Sequence, residues 1–198
     1  MTSFRILNRR LKIDKEVTEL DKFIIALTEI ISKHCRYVII SGFVSIFFGR
    51  ARSTEDIDCF IQEMSFNDFK GLYDHLVMEG YELTVENAET LYADYLKEGL
   101  SVNVWKKGFY LLRLETKFAL KKTQKLALTD SFVARFLGKK LRFGSIEAQI
   151  AYKRYIAKSD KDLEDARHLE IVFEGLDKNK ILFYKAEFIK ELENGKKR

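Results

Sequence analysis

The chain has 198 residues, 46% of them hydrophobic, and a formal net charge of +5. This length and apolar share fit one domain with a proper core, or a catalytic core with a small helical appendage. They exclude a membrane-spanning chain, because the longest apolar run, Tyr37 to Phe48, is interrupted by Ser41, Gly42 and Ser45 and falls short of the roughly 20 residues a bilayer requires.

Taken in chain order, Asp14 is placed to cap a helix carrying Val17, Leu20, Phe23, Ile24, Leu27, Ile30 and Ile31 at helical period. Tyr37 to Ile40 reads as a buried strand, broken by Ser41-Gly42. Phe43 to Phe48 then reads as a short helix ending near Gly49, and Ile57 to Gln62 as a second strand. Ser65 with Asp68 resembles a capping box, opening a helix with Phe69, Leu72, Tyr73 and Leu76 on one face and closed by Gly80. Tyr81 to Val85 is a strand and Glu86 to Glu98 a helix. Leu100 to Trp105 and Phe109 to Leu120 are strand candidates, and Phe132 to Phe143 is a hairpin turning at Gly138-Lys139. The last third is helical, over 145–157, 160–174 and 178–193. The order predicts one mixed α/β (α+β) core with a C-terminal helical bundle packed on it. Sixteen Phe and nine Tyr predict an aromatic-rich interior.

Arg5, Arg9 and Arg10 are followed by no apolar stretch with a small-residue cleavage site. No signal peptide is expected, and the expected location is cytoplasmic. Cys35 and Cys59 make neither a disulfide framework nor a metal cluster. His34, His75 and His168 have no metal-like spacing.

Charge is unevenly spread. Residues 55–98 hold twelve acids against Lys70 and Lys97, whereas 106–158 hold fourteen Lys and Arg against Glu115, Asp130 and Glu147. Two solvated faces that attract each other satisfy this pattern. So does a basic wall for phosphates or RNA beside an acidic, metal-binding wall.

The segment Ile40 to Asp58 carries the chemistry. A strand ending in a Ser-Gly turn before a helix exposes backbone N–H groups, and Gly42 lets a phosphate approach the backbone. Fourteen residues on come Asp56 and Asp58, alternate residues of a strand, so both carboxylates share one face of the sheet. Two adjacent carboxylates repel unless a cation lies between them, and Mg²⁺ suits oxygen ligands shared with phosphates. A phosphate cradle facing a paired-carboxylate site is what phosphoryl or nucleotidyl transfer requires.

This stretch resembles the signature of the DNA polymerase β superfamily of nucleotidyltransferases, where a small-residue turn after the first strand is followed by Asp-x-Asp. The finer run, Gly49-Arg50-Ala51-Arg52-Ser53-Thr54-Glu55-Asp56-Ile57-Asp58, looks like the minimal and the toxin-type (abortive-infection-like) nucleotidyltransferases. The resemblance covers about residues 36–62 and returns at 145–175. It departs from the glycine pair, with Ser41-Gly42 followed by bulky Phe43.

The resemblance implies a mixed sheet flanked by helices, with a core at 1–144 and a helical segment at 145–198. It implies Asp56 and Asp58 as catalytic metal ligands, Ser41 and Gly42 as the triphosphate cradle, and Arg52 and Thr54 as loop or phosphate contacts. A third carboxylate, completing metal binding or acting as base, belongs on a later strand. Glu115 in Leu112 to Lys117 supplies one. Ser101 to Trp105 offers Asn103, a poor ligand and no base. Glu115 is the preferred choice, although a cross-strand salt bridge with Arg113 or Lys117 also accounts for it.

In the helical third, Lys153 falls on the face of Ile146, Ile150 and Ala157, an unusual place for a lysine unless a triphosphate or an acid meets it. Asp162 and Asp165, in a Lys-Asp-x-x-Asp run that also resembles the toxin-type enzymes, are placed to clasp it. The expected activity is Mg²⁺-dependent transfer of an NMP from an NTP to a hydroxyl of RNA, such as a tRNA end, or of a protein. An antitoxin-like protein partner is implied by resemblance only. Phe43 and Asn103 motivate the alternative, an inactive nucleotide- or RNA-binding module on the same fold.

Overall fold

The computed structural model describes residues 4–196. Eight strands form one mixed sheet: β1 (Arg10–Lys12), β2 (Tyr37–Ile40), β3 (Asp56–Ile61), β4 (Tyr81–Leu83), β5 (Val102–Lys106), β6 (Phe109–Phe118), β7 (Ser131–Phe136) and β8 (Lys139–Gly144), in the order β1-β7-β8-β2-β3-β6-β5-β4. Pairs β1/β7, β2/β8 and β3/β6 are parallel, and β7/β8, β2/β3, β6/β5 and β5/β4 are antiparallel. The β7–β8 turn is Leu137-Gly138, both at positive φ, as a two-residue hairpin loop requires.

The helices are α1 (Glu19–Ile31), α2 (Gly42–Phe47), α3 (Phe66–Met78), α4 (Ala88–Thr90, running into a π-helical turn Leu91–Leu96), α5 (Lys122–Thr129), α6 (Ile146–Tyr152, running into a π-helical turn Lys153–Ala157), α7 (Asp160–Val172) and α8 (Lys178–Lys196). Helix α1 begins at Thr18, not Asp14. The Thr18 hydroxyl accepts from Asp21 N–H, while Thr18 N–H donates to Asp21 Oδ2 at 2.9 Å, a reciprocal box that Asp14 stands too early to make. Two elements were not expected. Strand β1 is a short, charged edge strand, and α5 carries one buried residue, Thr123, so neither shows a strong periodic signal.

The core is aromatic, as the composition predicts. Phe43, Phe47, Phe48, Phe132, Phe136, Phe143 and Phe173 are all buried, with Phe47–Phe143 and Phe48–Phe173 ring centroids 4.8 Å apart. Such pairs add about 0.5–1.5 kcal/mol each beyond area burial. Ile57, Cys59 and Ile61 of β3 face this core, which leaves Asp56, Asp58 and Phe60 on the opposite face. Helices α5, α6 and α8 pack against one another there. Among the described residues no helix is long and apolar enough to cross a membrane.

Candidate active site

Strand register decides which carboxylates meet. In the parallel β3/β6 pair, Asp56 stands opposite Arg113, Asp58 opposite Glu115 and Phe60 opposite Lys117. Parallel pairing in register puts Glu115 on the same face as Asp58 and directly beside it. Asn103 pairs with Glu115 from the far side, on β5, one strand further from Asp58.

Burial pushes the Asp58 carboxyl above the ordinary aspartate range. A hydrogen bond from the Ser41 hydroxyl opposes that push, the neighbouring Glu115 and Asp56 charges add to it, and Lys117 offsets part of it. Neither Asp58 nor Glu115 has an ion-pair partner among the described residues. Asp56 does: Arg113 Nε meets its Oδ1, and Arg113 Nη2 donates to Oδ2 at 3.1 Å. Thr54 caps the entry to the strand by donating to the Asp56 carbonyl at 3.0 Å.

Among the described residues, no three His, Cys, Asp or Glu side chains converge closely enough to enclose an ion by themselves. The donor chemistry still suits Mg²⁺, which binds through one or two carboxylates plus substrate phosphates rather than in an all-protein cage. An uncompensated, half-buried Asp58 beside Glu115 is a place where a cation lowers the energy. The two thiols offer no such chemistry. Burial pushes Cys35 up to about 12 and Cys59 higher still, so both stay protonated at neutral pH.

The Ser-Gly turn is built differently from the simple cradle expected of it. Ser41 has φ 64° and ψ −140°, a region L residues rarely adopt, and its N–H donates to Gln149 Oε1 of α6 at 2.9 Å. Gly42 lacks a side chain because the Arg52 guanidinium lies on it; a Cβ there would overlap Arg52 Nη2. The same Nη2 stands 3.4 Å from Asp165 Oδ2.

Asp165 is a buried hub. Its Oδ2 takes Lys153 Nζ at 2.8 Å, and its Oδ1 takes Arg50. Lys153 also reaches Asp162 at 3.2 Å. Arg50 extends to Glu164 and donates to the Lys161 carbonyl at 2.9 Å. Arg50 stood inside the quoted motif, yet nothing in its spacing separated it from Arg52. Its partners lie more than 110 residues on.

A cavity of about 330 Å³ opens beside this cluster. Ser41, Asp58, Phe60 and Lys117 form its sheet side. Helices α5, α6 and α8 close it with Thr123, Gln149, Tyr152, Lys153, Phe188 and Glu191, among others. Of the expected site residues, Ser41, Asp58 and Lys153 line it; Asp56, Glu115, Gly42, Arg52 and Thr54 do not. Lys117 and Lys121 line it without an ion pair among the described residues. Phe43 points into the core, 1% exposed, and leaves the cavity unobstructed. No histidine lines it: His34 pairs with His75 at 2.9 Å and His168 meets the Phe48 carbonyl at 3.0 Å.

No protein-family model matches the chain, and no curated protein does at a significant level. Solved structures do. The solution structure of the antibiotic-resistance factor ANT(2'')-Ia matches with TM-score 0.53 at 17% identity, covering 87% of this chain and 95% of that one. The lincosamide antibiotic adenylyltransferase LnuA, bound to lincomycin, matches with TM-score 0.52 at 15% identity, covering 80% and 99%. A nucleotidyltransferase-like protein from Paracoccidioides brasiliensis matches with TM-score 0.52 at 14% identity, covering 86% of each chain. The chain has the nucleotidyltransferase fold. Within that fold, the β3/β6 register and the Asp165 hub are features of this chain's own residues.

Proposed function

We propose that the protein is a nucleotidyltransferase that moves an NMP from an NTP to a hydroxyl acceptor. The observation that carries this reading is Asp58, half-buried beside Glu115 with no ion-pair partner among the described residues, at a cavity also lined by Lys117 and Lys121. A carboxylate site that lacks a cation, next to cations that lack anions, is complementary to a metal–triphosphate.

Asp56, Asp58 and Glu115 are the residues that would hold Mg²⁺, which when bound neutralises charge on the triphosphate and orients it. Lys117 and Lys121 would meet the phosphates, and Ser41 fixes the Asp58 carboxylate through its hydroxyl. Lys153 is already held by Asp165 and Asp162, so its part is to position the Ser41–Gln149 wall and not to bind phosphate freely. Arg52 likewise supports Gly42 from behind. The acceptor hydroxyl oxygen attacks the α-phosphorus, the bond to pyrophosphate breaks, and the hydroxyl proton passes to a carboxylate, for which Glu115 is the candidate. The free lysines favour an RNA acceptor over a protein hydroxyl. A protein partner of the antitoxin kind rests on sequence resemblance alone.

The alternative, a binding module without transfer, drew on Phe43 and Asn103. Phe43 lies in the core and Asn103 is not the neighbour of Asp58, so neither residue now argues for it. The deciding experiment is transfer from α-labelled NTPs to total RNA and to protein with Mg²⁺, wild type against Asp58→Asn. Label only with wild type is the expected result. Label that survives Asp58→Asn would overturn this assignment.

A further inference from the structure

Three carboxylates share one face of β3 and β6, yet only one is neutralised by the protein. Arg113 pairs with Asp56 at two points: Nη2 donates a hydrogen bond to Oδ2, and Nε stands within ion-pair distance of Oδ1, which has no hydrogen-bond partner of its own among the described residues. The grip is fixed by register, since Arg113 is the cross-strand partner of Asp56, and its own N–H donates to the Glu55 carbonyl at 3.0 Å, tying down the strand end. A guanidinium matches a carboxylate's two oxygens and keeps its charge throughout the physiological range.

The pair sits at the rim. Its side chains are 41% and 37% exposed, so the guanidinium can leave into water without a large desolvation change. Asp58 and Glu115, one register step inward, keep their charges without a cationic partner. The oxygens of Asp56 are therefore available to an incoming cation only if Arg113 gives them up.

We propose that Arg113 is an internal counter-ion that competes with the divalent cation for Asp56, so that cation binding requires the guanidinium to be displaced. This inference rests on the reading of Asp56 and Asp58 as metal ligands. Its consequence is coupling. A displaced guanidinium is a free cation on the carboxylate face, and the phosphates of the nucleotide supply an anion for it that water does not match. Cation alone should bind weakly, and cation with nucleotide strongly. Arg113 acts here as a positioning residue that sets when Asp56 is free.

The test reads Mn²⁺ binding directly, by the loss of the free-ion paramagnetic resonance signal, with no turnover required. Without nucleotide, Arg113→Gln should bind Mn²⁺ about three- to tenfold more tightly than wild type, the scale of one part-exposed ion pair. Lys107→Gln removes the same unit of charge from the exposed β5–β6 turn and is the control for bulk electrostatics; it should change affinity by less than about twofold. Adding a non-hydrolysable NTP analogue should tighten Mn²⁺ binding by a larger factor in wild type than in Arg113→Gln. If Arg113→Gln impairs folding, Arg113→Lys, which cannot make the two-point pairing, should move affinity the same way by a smaller factor. Equal effects of Arg113→Gln and Lys107→Gln, or no effect of the former, overturn the inference while leaving the metal site intact. Mn²⁺ binding that is indifferent to Asp58→Asn in every background instead overturns the metal-site reading, and this inference with it.

Discussion

Lys153 Nζ stands 2.8 Å from Asp165 Oδ2, with the two side chains only 2% and 1% exposed. An isolated charge at that depth would be very costly, so each makes the other tolerable. Asp165 has further support from Arg50 and Arg52, whereas among the described residues Lys153 has only Asp162 besides. The cluster is therefore asymmetric: its single carboxylate hub answers to three cations.

Removing the hub should cost more than removing one of its cations. Asp165→Asn leaves Lys153, Arg50 and Arg52 facing a neutral amide, and should destabilise by about 3–5 kcal/mol. Lys153→Met keeps the volume and leaves Asp165 with both arginines, and should lose distinctly less. Urea unfolding of the two variants measures the order, and the reverse order would remove Asp165 from its central place.

Gly42 and Arg52 should behave as one unit. Gly42→Ala drives the Arg52 guanidinium from its seat, so it should cost about as much as Arg52→Ala, roughly 1 kcal/mol. In an Arg52→Ala background the added methyl meets open space, and Gly42→Ala should become neutral or stabilise α2 by about 0.5–1 kcal/mol. A double-mutant cycle by thermal unfolding reads the coupling.

Ser41 holds a backbone conformation that suits glycine. Ser41→Gly should relieve strain of about 1 kcal/mol or more and raise the unfolding midpoint. It also removes the hydroxyl that Asp58 accepts from, so nucleotide transfer should fall as stability rises. A variant gaining or losing both together would separate the strain from the site.

A pH dependence should come from the far end of the helical segment. Burial pushes Asp130 up, but hydrogen bonds from Tyr184 (Oη to Oδ2, 2.6 Å) and Lys180 outweigh it and hold its carboxyl below the ordinary range. A depressed acid stabilises the fold above its unfolded value and loses that contribution as pH falls through the folded one. Tyr184→Phe should therefore cost about 1.5–3 kcal/mol at neutral pH. The gap to wild type should narrow below about pH 4. Melting curves across that range test it.

Much of the frame was legible because its signals are local. Tyr37–Ile40, the Ser65 cap and the β7–β8 hairpin announce themselves through period, capping and turn chemistry within a few residues, although the turn is Leu137-Gly138, one residue earlier than the Gly138-Lys139 expected. Strand β1 and helix α5 did not, being short and charged, with their burial set by partners far away. The candidate site divides the same way. The shared face of Asp56 and Asp58 follows from alternation alone. That Glu115 and not Asn103 stands beside Asp58 depends on strand order, which no spacing encodes. Arg50, Gln149 and Arg113 were invisible as site residues because each acquires its role from a partner at least 57 positions away.

The Asp165 hub also sets an order in time. During synthesis, Arg50 and Arg52 leave the ribosome more than a hundred residues before the carboxylate that fastens them. Until then the loop leading to Asp56 carries two unfastened arginines next to an open Ser-Gly turn. Domains fold as units when their last contacts arrive. A nascent chain of this protein therefore displays its whole motif early and completes the motif's scaffold late, so that assembly of the site waits for the synthesis of α7.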